Sequence, residues 1–146
     1  MLSKKVGEAM LENHQIELLK TLSNLVGVSG HEEQILQFVS EQLPFCTKEQ
    51  DKLGSGLFSL GEGDLSIMFA THMDEVGFVV SSINERGYVS IQPVGNMWAH
   101  TLLQQLVTIT TSDGRQWTGI IGGPQTHAIS PEARKKVVAM EELFVD

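Results

Sequence analysis

A chain of 146 residues, 41% of them hydrophobic, has room for one ordinary domain, or for a small domain plus part of another, and enough apolar side chain to bury a core. Eighteen acidic residues against 10 basic ones give a formal net charge of -8, which argues against a nucleic-acid partner, because affinity for a phosphate backbone is built from clustered Lys and Arg. The single cysteine, Cys46, excludes an internal disulfide and a multi-cysteine zinc site. No stretch approaches the roughly 20 apolar residues of a membrane span, and the N-terminus lacks the apolar core of a signal peptide, so a soluble cytoplasmic protein is expected.

Residues 1 to 12 have weak periodicity and read as a lead-in. From His14, apolar residues at Ile16, Leu18, Leu19, Leu22, Leu25 and Val26 predict an amphipathic helix with one buried stripe, ending at Gly27. Ser29 with Glu32 three residues on has the spacing of a capping box, opening a second helix that carries Ile35, Leu36, Val39 and Leu43 inward until Pro44 stops it. His14 and His31 fall at the starts of these helices and are weak ligand candidates. Turn-rich sequence from Asp51 to Gly56 then leads into a short strand, Leu57 to Leu60, and a further turn, Gly61 to Asp64.

The run Ile67-Met68-Phe69-Ala70 is apolar without interruption and predicts a strand buried on both faces. It ends in Thr71-His72-Met73-Asp74-Glu75. Ligands in open α/β sheets bind beyond the carboxyl ends of strands, so this is where chemistry is expected. If the chain stays extended, His72 and Asp74 share a face and Glu75 takes the other. His72 could then bind a metal through one ring nitrogen while Asp74 accepts a hydrogen bond from the other, fixing tautomer and orientation. The plain alternative is a strand end that happens to be polar, since a zinc site normally needs three or four protein ligands.

The character changes after Asp74. Val76 to Ile83 and Tyr88 to Val94 predict a hairpin turning at Asn84-Glu85-Arg86-Gly87, and Leu106 to Thr111 with Gln116 to Ile121 a second one turning at Ser112-Asp113-Gly114. Short strands joined by Gly-bearing turns suggest a small antiparallel barrel or sandwich. His100 and His127 fall in apparent loops and read as surface or locally hydrogen-bonded groups rather than partners of His72, and Trp98 and Trp117 read as core or rim residues. Ser130 and Pro131 predict a short capped helix up to Lys136, and Glu142 to Asp146 one more strand. An ending on a hydrophobic strand makes the sequence look interrupted.

These motifs together resemble a known family. Gly27-Val28-Ser29-Gly30-x-Glu32, Asp51-x-Leu53-Gly54, His72-Met73-Asp74-Glu75-Val76-Gly77-Phe78, Val94-Gly95, Gly119-x-Ile121-Gly122 and Pro124-x-x-His127 are similar to the tetrahedral and glutamyl aminopeptidases, the family forty-two metallopeptidases, some of which carry an endoglucanase label. The resemblance implies an α/β fold: residues 1–75 as the N-terminal helices and strands of a discontinuous, incomplete catalytic domain, and residues 76–146 as a β-rich, barrel-like inserted dimerisation domain. It implies that His72 is a metal ligand, that Asp74 is the catalytic-site residue orienting it, and that two divalent ions, zinc or cobalt, activate water in the complete enzyme. The other ligands and the general base would lie outside these residues. The chain alone is then expected to be inert toward peptide substrates, with at most weak binding of a single metal ion. A homo-oligomer through the β-rich part is also expected.

The departures, Gly54-Ser55 for the common Gly-Asn and Val94-Gly95-Asn96 for Val-Gly-Gly, lie away from His72. A non-catalytic binding or self-assembly module is the rival reading. A glycosidase fits poorly, because it needs two carboxyl groups facing each other across a bond, and the neighbours Asp74 and Glu75 point apart on a strand.

Overall fold

The computed structural model of the chain describes residues 11–146, so the lead-in expected over residues 1 to 12 lies outside them apart from Leu11 and Glu12. The chain divides into two compact units, the first running to Asp74 and the second from Glu75 to Asp146. It combines helices and sheets, as expected for a mixed α and β fold.

The first unit opens with α1 (Asn13–Asn24), whose amino end is closed by a hydrogen bond from the Glu12 N–H to Gln15 Oε1 at 2.8 Å. The apolar stripe is present in sequence, but no residue of α1 is buried: Ile16 is 36% exposed and Leu19 51%. A 12-residue helix buries its stripe only against a facing apolar surface, and the described part of this unit offers too little of one. The second helix, α2 (Glu33–Gln42), does bury Ile35 and Leu36, and it ends just before Leu43-Pro44 because the residue preceding a proline is pushed out of the helical region.

The capping box expected of Ser29 and Glu32 is not made. A turn closed by the His31 N–H on the Val28 carbonyl delays the helix, so Glu32 takes the N-cap position and its Oε1 accepts from the Gly30 N–H at 2.9 Å. A short hairpin follows, β1 (Thr47–Gln50) against β2 (Gly56–Ser59), in register Thr47 with Ser59. Its turn is organised by Asp51, whose Oδ1 accepts from the Leu53 and Ser55 N–H groups at 2.9 and 2.8 Å.

The largest departure from expectation is the run from Leu65 to Ala70. It forms no strand, and it is exposed instead of buried on both faces: Leu65 is 82% exposed, Met68 87% and Phe69 94%. A strand with two apolar faces is stable only inside a sheet covered by other elements, and no described strand pairs with this run.

The second unit is a five-stranded antiparallel sheet. Its strands are β3 (Gly77–Ile83), β4 (Val89–Val94), β5 (Leu106–Thr110), β6 (Gln116–Gly122) and β7 (Phe144–Val145), in the order β3-β4-β7-β6-β5. Both predicted hairpins are present. Asn84 Oδ1 holds the first turn by accepting from the Arg86 and Tyr88 N–H groups, and Gly87 completes it at φ +92°, a backbone region that disfavours side chains. The last strand sits in the middle of the sheet: Val145 pairs with Val89 on one side and Ile121 on the other.

The core gathers around this strand, where Ile121 and Val145 are 1% and 2% exposed beside Leu143, Ile91 and Ala99. The helix expected over 130–136 shrinks to a single 3₁₀ turn (Ala133–Lys135), although Ser130 Oγ does accept from the Ala133 N–H at 3.1 Å. No described helix is long and apolar enough to cross a membrane.

The contrast between buried and exposed apolar residues has a measurable consequence. Ile121→Ala should destabilise the second unit by about 2–4 kcal/mol in chemical denaturation, through lost burial and a residual cavity. Phe69→Ser should leave the unfolding free energy within about 0.5 kcal/mol of the parent.

Candidate metal-ligand site at His72

Gly27 begins the turn that approaches the His72 segment. A Cβ at this position would lie 2.1 Å from Ile35 Cδ1 and 3.5 Å from the Met73 carbonyl oxygen, so the absent side chain lets the turn after α1 lie close to the backbone of Met73. Two residues on, the Ser29 hydroxyl donates to Asp74 Oδ2 across 45 positions of sequence. The other carboxylate oxygen, Oδ1, lies 3.2 Å from His72 Nδ1, and the Asp74 carbonyl oxygen lies 2.9 Å from the same nitrogen. Both partners of Nδ1 are acceptors, so the ring proton belongs on Nδ1 and the lone pair on Nε2. The His72 side chain is 84% exposed and that of Asp74 42%.

His72 and Asp74 are thus brought together as the spacing suggests, although the preceding run is not a strand. Ser29 is the member that sequence reading assigned elsewhere, as a helix cap. Spacing could not have linked it to Asp74; its place in the Gly27-Val28-Ser29-Gly30 motif was the only signal available.

His14, exposed, pairs with Glu12 at 3.3 Å, and His31 and His127 are also exposed. His100 stacks on Trp98 with ring centroids 5.5 Å apart, and Trp98 and Trp117 are 62% and 58% exposed, surface positions instead of core ones. Among the described residues no group of three or more His, Cys, Asp or Glu side chains could hold a metal ion. What the donor chemistry does fit is one ligand of a divalent cation. A neutral imidazole anchored through Nδ1 to a carboxylate and offering Nε2 is the usual presentation of a metal-binding histidine.

The Asp74 carboxyl is held below the ordinary aspartate value, first by the hydrogen bond from Ser29, then by the hydrogen bond and charge of His72, with desolvation opposing. A depressed folded-state value contributes stability that is present above the unfolded aspartate value of about 3.9 and lost as pH falls through the folded one. Asp74 is therefore ionised throughout the neutral range. A carbon-detected NMR titration should find its midpoint below that of an ordinary aspartate, and Ser29→Ala should move it upward.

A family profile described as M42 glutamyl aminopeptidase matches residues 54–146. FrvX of Escherichia coli K12 is 33% identical over 133 residues, covering 90% of this chain and 37% of FrvX. Among solved structures, the TET aminopeptidase of a marine sediment archaeon of the Thaumarchaeota superposes with a TM-score of 0.85 at 37% identity, covering 92% of this chain and 38% of that one. TET1 peptidase of Pyrococcus horikoshii, which can assemble into a tetrahedron or a large octahedral shell, gives 0.79 at 32% identity over 90% of this chain and 39% of that one. The chain spans a little over a third of the length of the proteins it matches. With the profile covering well over half of its residues, the chain belongs to the M42 glutamyl aminopeptidase family.

Proposed function

We propose that this chain is the N-terminal portion of a metal-dependent aminopeptidase that removes N-terminal residues from peptides, and that these 146 residues are catalytically inert by themselves. The observation that carries the reading is the His72 ring anchored through Nδ1 to Asp74, in a chain of a metallopeptidase family. His72 would contribute Nε2 as a ligand, and Asp74 would hold the tautomer and ring plane. In such enzymes two bound divalent ions, zinc or cobalt here, supply Lewis acidity and lower the pKa of a water.

One ligand cannot clamp two ions, and among the described residues no group of three or more His, Cys, Asp or Glu side chains could hold one. The exposed apolar run from Leu65 to Phe69 agrees with residues 1–75 being part of a catalytic sheet that needs further strands. A cytoplasmic location belongs to the same reading.

The β-rich unit is read as an inserted dimerisation domain. Its outer strand β3 exposes Val79, Val80 and Ile83, and Trp117 and Ile120 on β6 are exposed as well. An unpaired apolar edge recruits another strand, so self-association through this part is the proposed partner mode, and it also sustains the alternative of a non-catalytic assembly module.

The purified chain, supplied with zinc or cobalt and a panel of aminoacyl substrates, should release no amino acid. Chelator-sensitive release would overturn the inertness. Light scattering at high concentration should find a dimer or larger species, and a strict monomer would remove the assembly component of the reading.

A further inference from the structure

The chain of hydrogen bonds at the His72 site extends one residue further than the histidine and its carboxylate. Ser29 Oγ donates to Asp74 Oδ2, while Oδ1 faces His72 Nδ1. An aspartate carboxylate turns about a broad, roughly two-fold torsion, so a single hydrogen bond does not fix its plane. Asp74 is held at both oxygens, and its own side chain is 42% exposed. The bond from Ser29 links the turn after α1 to the segment carrying the histidine.

Ser29 has no role at the start of α2, where Glu32 occupies the N-cap position. We infer that Ser29 is a positioning residue, which locks the Asp74 carboxylate so that His72 carries its proton on Nδ1 and presents Nε2 in a fixed direction to a divalent cation.

The metal half of this inference rests on the reading of His72 as a ligand; the tautomer half does not. Removing the hydroxyl frees the carboxylate to rotate and to exchange its second hydrogen bond with water. The Asp74 carbonyl at 2.9 Å still accepts from Nδ1, so the effect is a loss of bias and not an inversion. Groups that orient a ligand in this way typically govern metal affinity by about 10–100-fold, and Ser29, acting through Asp74, should account for the lower part of that range.

The test uses the 146-residue chain labelled with nitrogen-15, comparing the parent with Ser29→Ala, Ser29→Thr and His72→Ala, and with Ser29→Cys as a second near-isosteric removal should the alanine variant fail to fold. Long-range nitrogen–proton spectra of the His72 ring, recorded without metal in its neutral form, read the tautomer directly. The parent should be predominantly protonated on Nδ1. Ser29→Ala and Ser29→Cys should show a mixed population, and Ser29→Thr, which keeps the hydroxyl, should restore the parent spectrum. Titration with zinc alone, followed at the His72 ring, should weaken by about 3–10-fold in Ser29→Ala and recover in Ser29→Thr.

A tautomer distribution in Ser29→Ala indistinguishable from the parent overturns the positioning role, whatever the zinc data. Zinc-induced shifts of the Ser29 and Asp74 backbone amides that persist in His72→Ala overturn the ligand reading, while the tautomer spectra of the parent and the Ser29 variants still decide the role of Ser29.

Discussion

The two oxygens of one carboxylate organise the candidate site. Asp74 gives Oδ2 to the Ser29 hydroxyl and Oδ1 to the His72 ring, and so joins a turn between two helices to a segment 45 residues later. Its ionised state is what makes this possible, since charge-assisted hydrogen bonds are stronger than neutral ones and a carboxylate can accept at both oxygens at once. The local backbone is shaped to the same end. At Gly27 a side chain would collide with Ile35, and the missing Cβ allows the turn to lie against Met73.

The second unit depends on a different constraint, the insertion of β7 between β4 and β6. Two hairpins with one apolar face each would be marginal alone; a strand shared between them makes a single sheet with a common core. Val145 and Ile121 are the least exposed residues of that core, and Tyr88 meets Phe144 edge to face at 5.0 Å to seal its end. The remaining edges, β3 and β5, carry exposed Val79, Val80, Ile83 and Leu106. The apolar surface that these side chains leave uncovered contributes nothing to the core of the unit.

Local features were the legible ones. The hairpin turns could be read because Asn84 and Gly87, or Asp113 and Gly114, have conformational preferences that act within four residues. The end of α2 could be read because Pro44 restricts its neighbour by contact. The pairing of His72 with Asp74 was visible for the same reason, being only two positions apart. Where reading went astray, the deciding partner was distant or lacking. Ser29 looked like a cap because its spacing to Glu32 was right, but the turn at Val28–His31 moved the helix start beyond it. The run at Ile67 looked buried because it is apolar on both faces, and burial requires covering elements that the run cannot specify.

By itself, the sequence determined the elements that short-range sterics and hydrogen bonding dictate: two helices, the two hairpins of the second unit, and a histidine within reach of a carboxylate. It also contained enough motif sequence to mark the family. Only the tertiary structure decided that the last strand enters the middle of the second sheet, that the apolar run at Ile67 stays uncovered, and that the partner of Asp74's second oxygen is Ser29. Each of these is a contact between residues far apart in the chain, and no periodicity or spacing encodes which distant group will arrive.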